Sequence, residues 1–338
     1  MKPVEITLPD PPADPALRPP ARRPGSVRRT STILMTWPAG FGTQLRLDGR
    51  ARDLLTPQHG SATVLAQDEF SIGVGQDRTL EYVRVAPGRP GISRLVGARG
   101  GGQLRSVIRD LLPDDVQAGT PLSLLLDDVA GCTLIAGFAW SRWRDWKDIV
   151  APVGSQDIPQ PKRRSMVGVC AGFRPGSRAL GDDGSSHPEM RHNLAGVPPL
   201  ADPEDPMGWH QLDRHPPVAM RRARRIDVWQ EGDSIAVDAM FRDSCWQPDG
   251  AEVAVHEYSI AAAIDRPNGR VLSVEATPRV LPFAECPAAA PNAAWLAGAS
   301  ARDLRSEVLL RLRSTDCCTH LNDALRALAE VPVLADVL

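Results

Sequence analysis

Apolar and polar positions alternate along this chain in two similar successions of strands, each followed by a stretch of helical periodicity. In the first succession, 26–36 and 42–47 read as a hairpin about Pro38-Ala39-Gly40, and 62–74 with 78–85 as a second pair. Gly100-Gly101-Gly102 then opens a helix through Leu112, with Leu104, Val107, Ile108 and Leu111 at helical spacing. Thr120 is placed to cap the next helix, with Pro121 in its first turn, where the missing N–H costs nothing, and that helix carries on past Asp127-Asp128. In the second succession, 221–229, 234–242, 252–264 and 270–276 repeat the strand run. Turns fall at Glu231-Gly232-Asp233, Pro248-Asp249-Gly250 and Pro267-Asn268-Gly269. Helices are predicted over 301–313 and 317–330, the last capped by Asp316 with His320 in its first turns.

The two successions match each other residue by residue. Asp68-Glu69-Phe70-Ser71-Ile72 returns as His256-Glu257-Tyr258-Ser259-Ile260, 188 positions on (256 − 68), while Asp48, Arg52 and Asp53 return as Asp238, Arg242 and Asp243, 190 positions on (238 − 48). A long-period self-match of this kind predicts an α+β fold of two related halves, each an antiparallel β-meander followed by helices. The domain plan is a disordered Pro-rich arm over 1–25, an N-terminal half over 26–150, a Pro/Gly-rich crossover over 151–217 and a C-terminal half over 218–338. A structureless connection as long as the crossover is rare in a compact domain. Its apolar anchors, Cys170-Ala171-Gly172-Phe173 and Gly208-Trp209-His210, imply an ordered segment. On the 188 offset Asp68 becomes His256 and Phe70 becomes Tyr258, two side chains on one strand face. Identical residues follow from a shared fold, whereas these differences mark the second half as the chemical one.

Composition narrows the classes. The 338 residues carry 39 basic and 41 acidic side chains, a net charge of −2, so no global field draws in nucleic acid or an anionic membrane. The arginine-rich stretches at Arg22-Arg23, Arg28-Arg29 and 221–225 read first as solvated strand edges and leave local anion or phenolate binding open. The N-terminus lacks the apolar core of a signal peptide, and the longest apolar run, 122–140, is interrupted by Asp127-Asp128. Six cysteines without regular spacing point to a reduced, cytoplasmic setting. No dinucleotide or phosphate-binding glycine pattern follows a strand, and no G-x-S-x-G elbow is present.

His256, Tyr258, Glu285 and His320 are the catalytic candidates. A helix N-terminus disfavours an imidazolium, so His320 is expected to stay neutral and able to accept a proton. Glu285 sits in a turn made rigid by Pro282 and Pro287, a place for a general acid or base and equally for a carboxylate that opens a helix. Cys317 and Cys318 at a helix start admit a thiolate nucleophile, with buried, inert thiols as the commoner outcome for such positions. Cys286, Cys317, Cys318 and His320 lack zinc-ligand spacing, so no metal is assigned. His187, His192, His210 and His215 in the crossover are read as solvated loop histidines.

Arg28-Arg29-Thr30, Gly49-Arg50-Ala51-Arg52-Asp53, Cys170-Ala171-Gly172, His256-Glu257-Tyr258, Pro278-Arg279-Val280-Leu281-Pro282 with Glu285-Cys286-Pro287, and Cys318-Thr319-His320-Leu321-Asn322-Asp323 resemble the signature segments of a bacterial family, Domain of Unknown Function 2889. The family label carries no activity. One branch of it, in bacteria that consume lignin-derived aromatics, implies a cofactor-independent lyase that releases formaldehyde from a phenylcoumaran-type biaryl and leaves a stilbene. Such chemistry needs a group to stabilise a phenolate (Arg29, Arg52 or Arg279), a base for the side-chain hydroxyl (His256 or His320) and an acid for the departing ring oxygen (Tyr258 or Glu285). Cys286, Asn322 and Asp323 complete the substrate-binding set by the same resemblance. The other classes in play are a non-catalytic binding protein for a small aromatic molecule and a hydrolase of esters or thioesters. A small aromatic substrate is the expected partner, without cofactor, and internal symmetry does not exclude a homodimer.

Overall fold

The computed structural model describes residues 8–40, 42–143, 165–186 and 194–338. Its centre is one nine-stranded sheet: β1 (Ser26–Thr36), β2 (Leu45–Thr56), β3 (Thr63–Val74), β4 (Leu80–Ala86), β5 (Ala195–Gly196), β6 (Met220–Glu231), β7 (Ser234–Trp246), β8 (Glu252–Asp265) and β9 (Val271–Val280). The order is β4-β3-β2-β1-β6-β7-β8, with β5 and β9 both paired to β8. Two antiparallel meanders therefore meet at the β1–β6 pair and form a single α+β sheet.

Every residue of β1 is buried, because both faces of the sheet are covered. Val27, Ile33 and Met35 point into the apolar core under the helices, while Leu34 on the other face packs with Ala219 and Trp246. The helix layer consists of α1 (Leu104–Leu111), α2 (Pro113–Gln117), α3 (Pro121–Ile135), α4 (Leu304–Arg311), α5 (Thr319–Arg326) and α6 (Val331–Ala335). Thr120 caps α3 as expected, its hydroxyl accepting from the Ser123 amide at 3.2 Å. The stretch Pro121–Trp140 is long and apolar enough to cross a membrane, but 67% of it is buried, the placement of a core helix.

Several boundaries differ from the sequence expectation. Strand β2 runs to Thr56 rather than stopping at Leu47, because the polar run from Asp48 to Asp53 is held by ion pairs on both faces. α1 starts at Leu104, not at the glycines, and 301–303 is a 3-10 turn before α4. The helix expected over 317–330 begins only at Thr319, after Cys318 in extended conformation, and Asp316 belongs to the preceding 3-10 turn and does not cap it.

The strand pairing also corrects the offset between the halves. Asp53 lies opposite Ala66 and Asp243 opposite His256, with a β-bulge directly after each aspartate. The offset is thus 190 on both strands (243 − 53 and 256 − 66), so His256 stands where the first half has Ala66, and Tyr258 where it has Asp68. The bulge leaves Val255 unpaired beside His256, and bulges re-aim side chains in this way.

The arm is not free from residue 8 on. Ala13 N donates to Pro278 O at 2.9 Å, the Ala16 amide donates to Glu257 Oε1, and Arg22 pairs with Asp205. In the crossover, Trp209 and Leu200 pack on the sheet face away from the helices. His210 is not solvated: it is buried between Thr30 (Nδ1 to Oγ1, 2.8 Å) and Thr32 (Nε2 to Oγ1, 2.7 Å). Burial pushes its pKa down to about 3. His215 stacks on Trp246 at 3.5 Å, while His187 and His192 lie outside the described residues.

Candidate functional site

Arg222 on β6 faces Asp243 on β7 across the sheet. Its guanidinium grips the carboxylate with two bonds, Nε to Oδ1 at 2.8 Å and Nη2 to Oδ2 at 3.0 Å. Planar, two-pronged contact of this kind is what arginine supplies and lysine cannot. Next to Asp243 stands its cross-strand partner His256, with Nδ1 3.6 Å from Oδ2. α5 brings His320 down onto the same oxygen, Nε2 at 3.9 Å. The two imidazoles stack with centroids 3.5 Å apart and planes 14° from parallel.

The pair forms part of the wall of a cavity of about 210 Å³. Phe138, Ile135 and Leu134 of the first half, Met166, Val169, Cys170 and Phe173 of the crossover, and Phe283, Cys286, Cys318 and Thr319 of the second half complete most of the lining. Phe173 and Phe283 meet at 5.3 Å in a tilted aromatic pair. The crossover is tied to the start of α5 by a hydrogen bond from Ala171 N to Cys317 O at 2.8 Å. Gly172 then passes so close to Cys286 that a Cβ there would lie 2.7 Å from its sulfur.

Burial is the largest influence on His320 and lowers its pKa, with Arg222 acting in the same direction and Asp243 and Asp323 opposing. The imidazole is therefore neutral near pH 7, as expected, although desolvation rather than the helix terminus is the main cause. The thiols go the other way. Burial pushes Cys170 up to about 12 and Cys317 up to about 11, and raises Cys286 and Cys318 as well. Of the two readings of Cys317 and Cys318, buried thiols rather than a thiolate nucleophile agree with this, since desolvation outweighs any help from the helix N-terminus. Tyr258 is fully buried behind the lining, beside Cys318 and Cys286, and its phenol is raised well above its ordinary value by burial.

Asp243, His256 and His320 are also the one group among the described residues close enough together to consider for a metal ion. The geometry is poor for one. The parallel rings send their in-plane lone pairs along separate planes, and Oδ2 of Asp243 already accepts from Arg222. Proton transfer suits this arrangement better.

The other sequence candidates lie apart from the cavity. Arg29 is buried against Asp53 (2.6 Å) and Glu330 (2.8 Å), Arg52 donates to Met207 O, and Arg279 donates to Ser259 Oγ. Glu285 accepts from Arg178, at 3.2 Å from its amide and 3.4 Å from Nε. Asn322 donates to Leu312 O, and Asp323 binds Arg105 and Arg222 behind the imidazoles. Thus His256, His320 and Cys286 line the cavity; Tyr258 and Asp323 lie behind its wall; the remaining candidates are elsewhere. Asp243 and Arg222 were missed because their first-half counterparts, Asp53 and Arg29, are identical in type, so the comparison between the halves does not mark them.

The part of the chain that supplies both imidazoles and Asp243 matches a family model over 220–334, described as Protein of unknown function (DUF2889). Residues 220–334 are similar to the DUF2889 family. The matched segment holds β6 to β9, α4, α5 and most of α6, but α3 and the crossover turn that close the cavity lie outside it. No curated protein and no solved structure matches the chain.

Proposed function

We propose that this protein is a carbon–carbon lyase, independent of any cofactor, that releases formaldehyde from a lignin-derived phenolic biaryl of the phenylcoumaran type and leaves a stilbene. The observation that carries the reading is a stacked imidazole pair in the wall of a largely apolar cavity. An apolar pocket with a few convergent polar groups and a perturbed titratable side chain is the usual form of an active site for an aromatic substrate. A volume of about 210 Å³ suits one substituted ring. The second ring then lies at the mouth, against Leu134 and Val169, which are 61% and 42% exposed.

In the proposed reaction, an imidazole takes the proton of the phenol para to the benzylic carbon, the phenolate expels the dihydrofuran oxygen to give a quinone methide, and the second phenolate so released takes that proton back from the imidazolium. An imidazole then removes the proton of the side-chain hydroxyl. The O–H pair becomes the second bond of the formaldehyde carbonyl, and the carbon–carbon bond breaks. Its electrons form the stilbene double bond and restore the aromatic ring. Nothing is oxidised or reduced overall. His320, held neutral by burial, is the base, and His256 beside Asp243 relays the proton that His320 takes up. At 3.5 Å the rings do not both carry charge, so the pair cycles through one proton. Among the described residues no arginine lines the cavity, so Arg29, Arg52 and Arg279 have no part in this mechanism, and imidazolium meets the phenolate instead.

His256→Ala and His320→Ala should each lower turnover by roughly 10²–10⁴, the ordinary worth of a general acid or base, while an aromatic ligand still binds. Unchanged rates in both variants would remove the site. The binding-protein reading is favoured by the same apolar lining and corresponds to a tight complex without product. The hydrolase reading is disfavoured by the protonated state of the buried thiols.

A further inference from the structure

We infer that Arg222 is a positioning residue of the imidazole pair: seated in a notch that Gly131 leaves on α3, it occupies Asp243 and keeps that carboxylate from bonding either ring. Arg222 is buried, 1% exposed. Asp243 comes to it from β7, Asp128 from α3 (Nη1 to Oδ1, 3.2 Å) and Asp323 from α5 (Nη1 to Oδ2, 3.1 Å). Asp128 is shared with Arg224 and Asp323 with Arg105, and Cys132 of α3 is the remaining titratable neighbour. A Cβ on Gly131 would lie 2.2 Å from Nη1 of Arg222 and 2.7 Å from Oδ2 of Asp323. Only glycine on that turn of α3 lets these two groups meet.

The consequence falls on the oxygen that faces the rings. Oδ2 of Asp243 accepts Nη2 of Arg222 at 3.0 Å, while His256 and His320 stand off at 3.6 and 3.9 Å. With Arg222 gone, the same oxygen is an uncompensated buried charge, and the nearest cation it can recruit is an imidazolium. The groups facing His320 are His256, Asp243, Arg222, Asp323 and Thr319, and of these Arg222 is the one fixed positive charge. The other half contains an internal control: Arg29 grips Asp53 with the same two prongs, but Ala66 stands where His256 would be.

The test is imidazole titration by NMR on the full chain, with the two signals identified by their loss in His256→Ala and His320→Ala. In Arg222→Met the stacked pair should titrate at higher pH than in the wild type, with Arg222→Lys between the two. Arg29→Met should leave the pair's titration in place. Should Arg222→Met fail to fold, Gly131→Ala moves only the end of the guanidinium and should shift the pair the same way by less. A folded Arg222→Met or Gly131→Ala with wild-type titration, or an equal shift in Arg29→Met, overturns the inference. It rests on the geometry around Asp243 and not on the lyase reading: a shifted titration without turnover refutes the lyase alone, and turnover with an unshifted titration refutes this inference alone.

Discussion

His210 offers a direct test of how the crossover is held on the sheet. Its imidazole is buried between the Thr30 and Thr32 hydroxyls, with pKa pushed down to about 3 by burial and by the nearby charges of Arg52, Arg50 and Arg221. An unfolded chain binds the same proton near pH 6.5. Because the folded value is the lower one, unfolding takes up a proton between these limits. The stabilisation is complete above pH 6.5 and is lost as pH falls toward 3. At about 1.4 kcal/mol per unit, moving from pH 7 to pH 4.5 costs about 2.5 kcal/mol from this group alone, a large share of ordinary domain stability. The assay is urea unfolding of wild type and His210→Gln at several pH values in that window. Glutamine can bond both hydroxyls but does not titrate, and carboxylate effects cancel between the two proteins. Wild type should lose about 2.5 kcal/mol more than the variant; parallel pH dependence in both would refute the buried, neutral His210.

Removing one partner of a buried ion pair leaves the other uncompensated, so Arg29→Met, which strands Asp53 and Glu330, should cost about 3–5 kcal/mol in the same unfolding assay. Gly172→Ala drives a methyl to 2.7 Å from the Cys286 sulfur and should weaken binding of a small aromatic ligand by about tenfold, measured by calorimetry, at a strain of ~1–3 kcal/mol. With Cys317 near 11 and Cys170 near 12, alkylation by iodoacetamide at pH 8 should run roughly a hundredfold slower at Cys317 and roughly a thousandfold slower at Cys170 than for free cysteine, followed by mass spectrometry of the intact protein. Rapid labelling of Cys317 would restore the thiol nucleophile there. If His320 is the base, the acid limb of the rate profile should fall below the ordinary histidine pKa of about 6.5, because burial lowers its own; a limb above that value would contradict its role.

β1 was located to the residue by its threonine and β-branched content and by the Pro38-Ala39-Gly40 turn that follows it, although its buried positions do not alternate. β2 was cut short because four of its six residues from Asp48 to Asp53 are charged, and pairing of charges across the sheet leaves no hydrophobic period to read. The 188 offset followed the likeness of two five-residue strings, whereas the strands are set by bulges after Asp53 and Asp243, which residue identity does not reveal. His256 and His320 were singled out as residues that only the second half possesses, and the fold stacks them. Their setting was not legible, because Leu134, Phe138 and Phe173 come from segments whose own periodicity says nothing about where they dock. His210 was misread from the loop composition around it, since only the sheet face it meets shows that it is buried.

The central claim meets its most direct test when purified wild-type protein is incubated with a phenylcoumaran bearing a free phenol and a hydroxymethyl side chain, following stilbene absorbance and formaldehyde together. The account predicts both products in equal amounts from wild type and neither from His320→Ala. Folded wild-type protein that binds the compound yet releases neither product, from either enantiomer, would contradict the lyase and leave an aromatic-binding protein in its place.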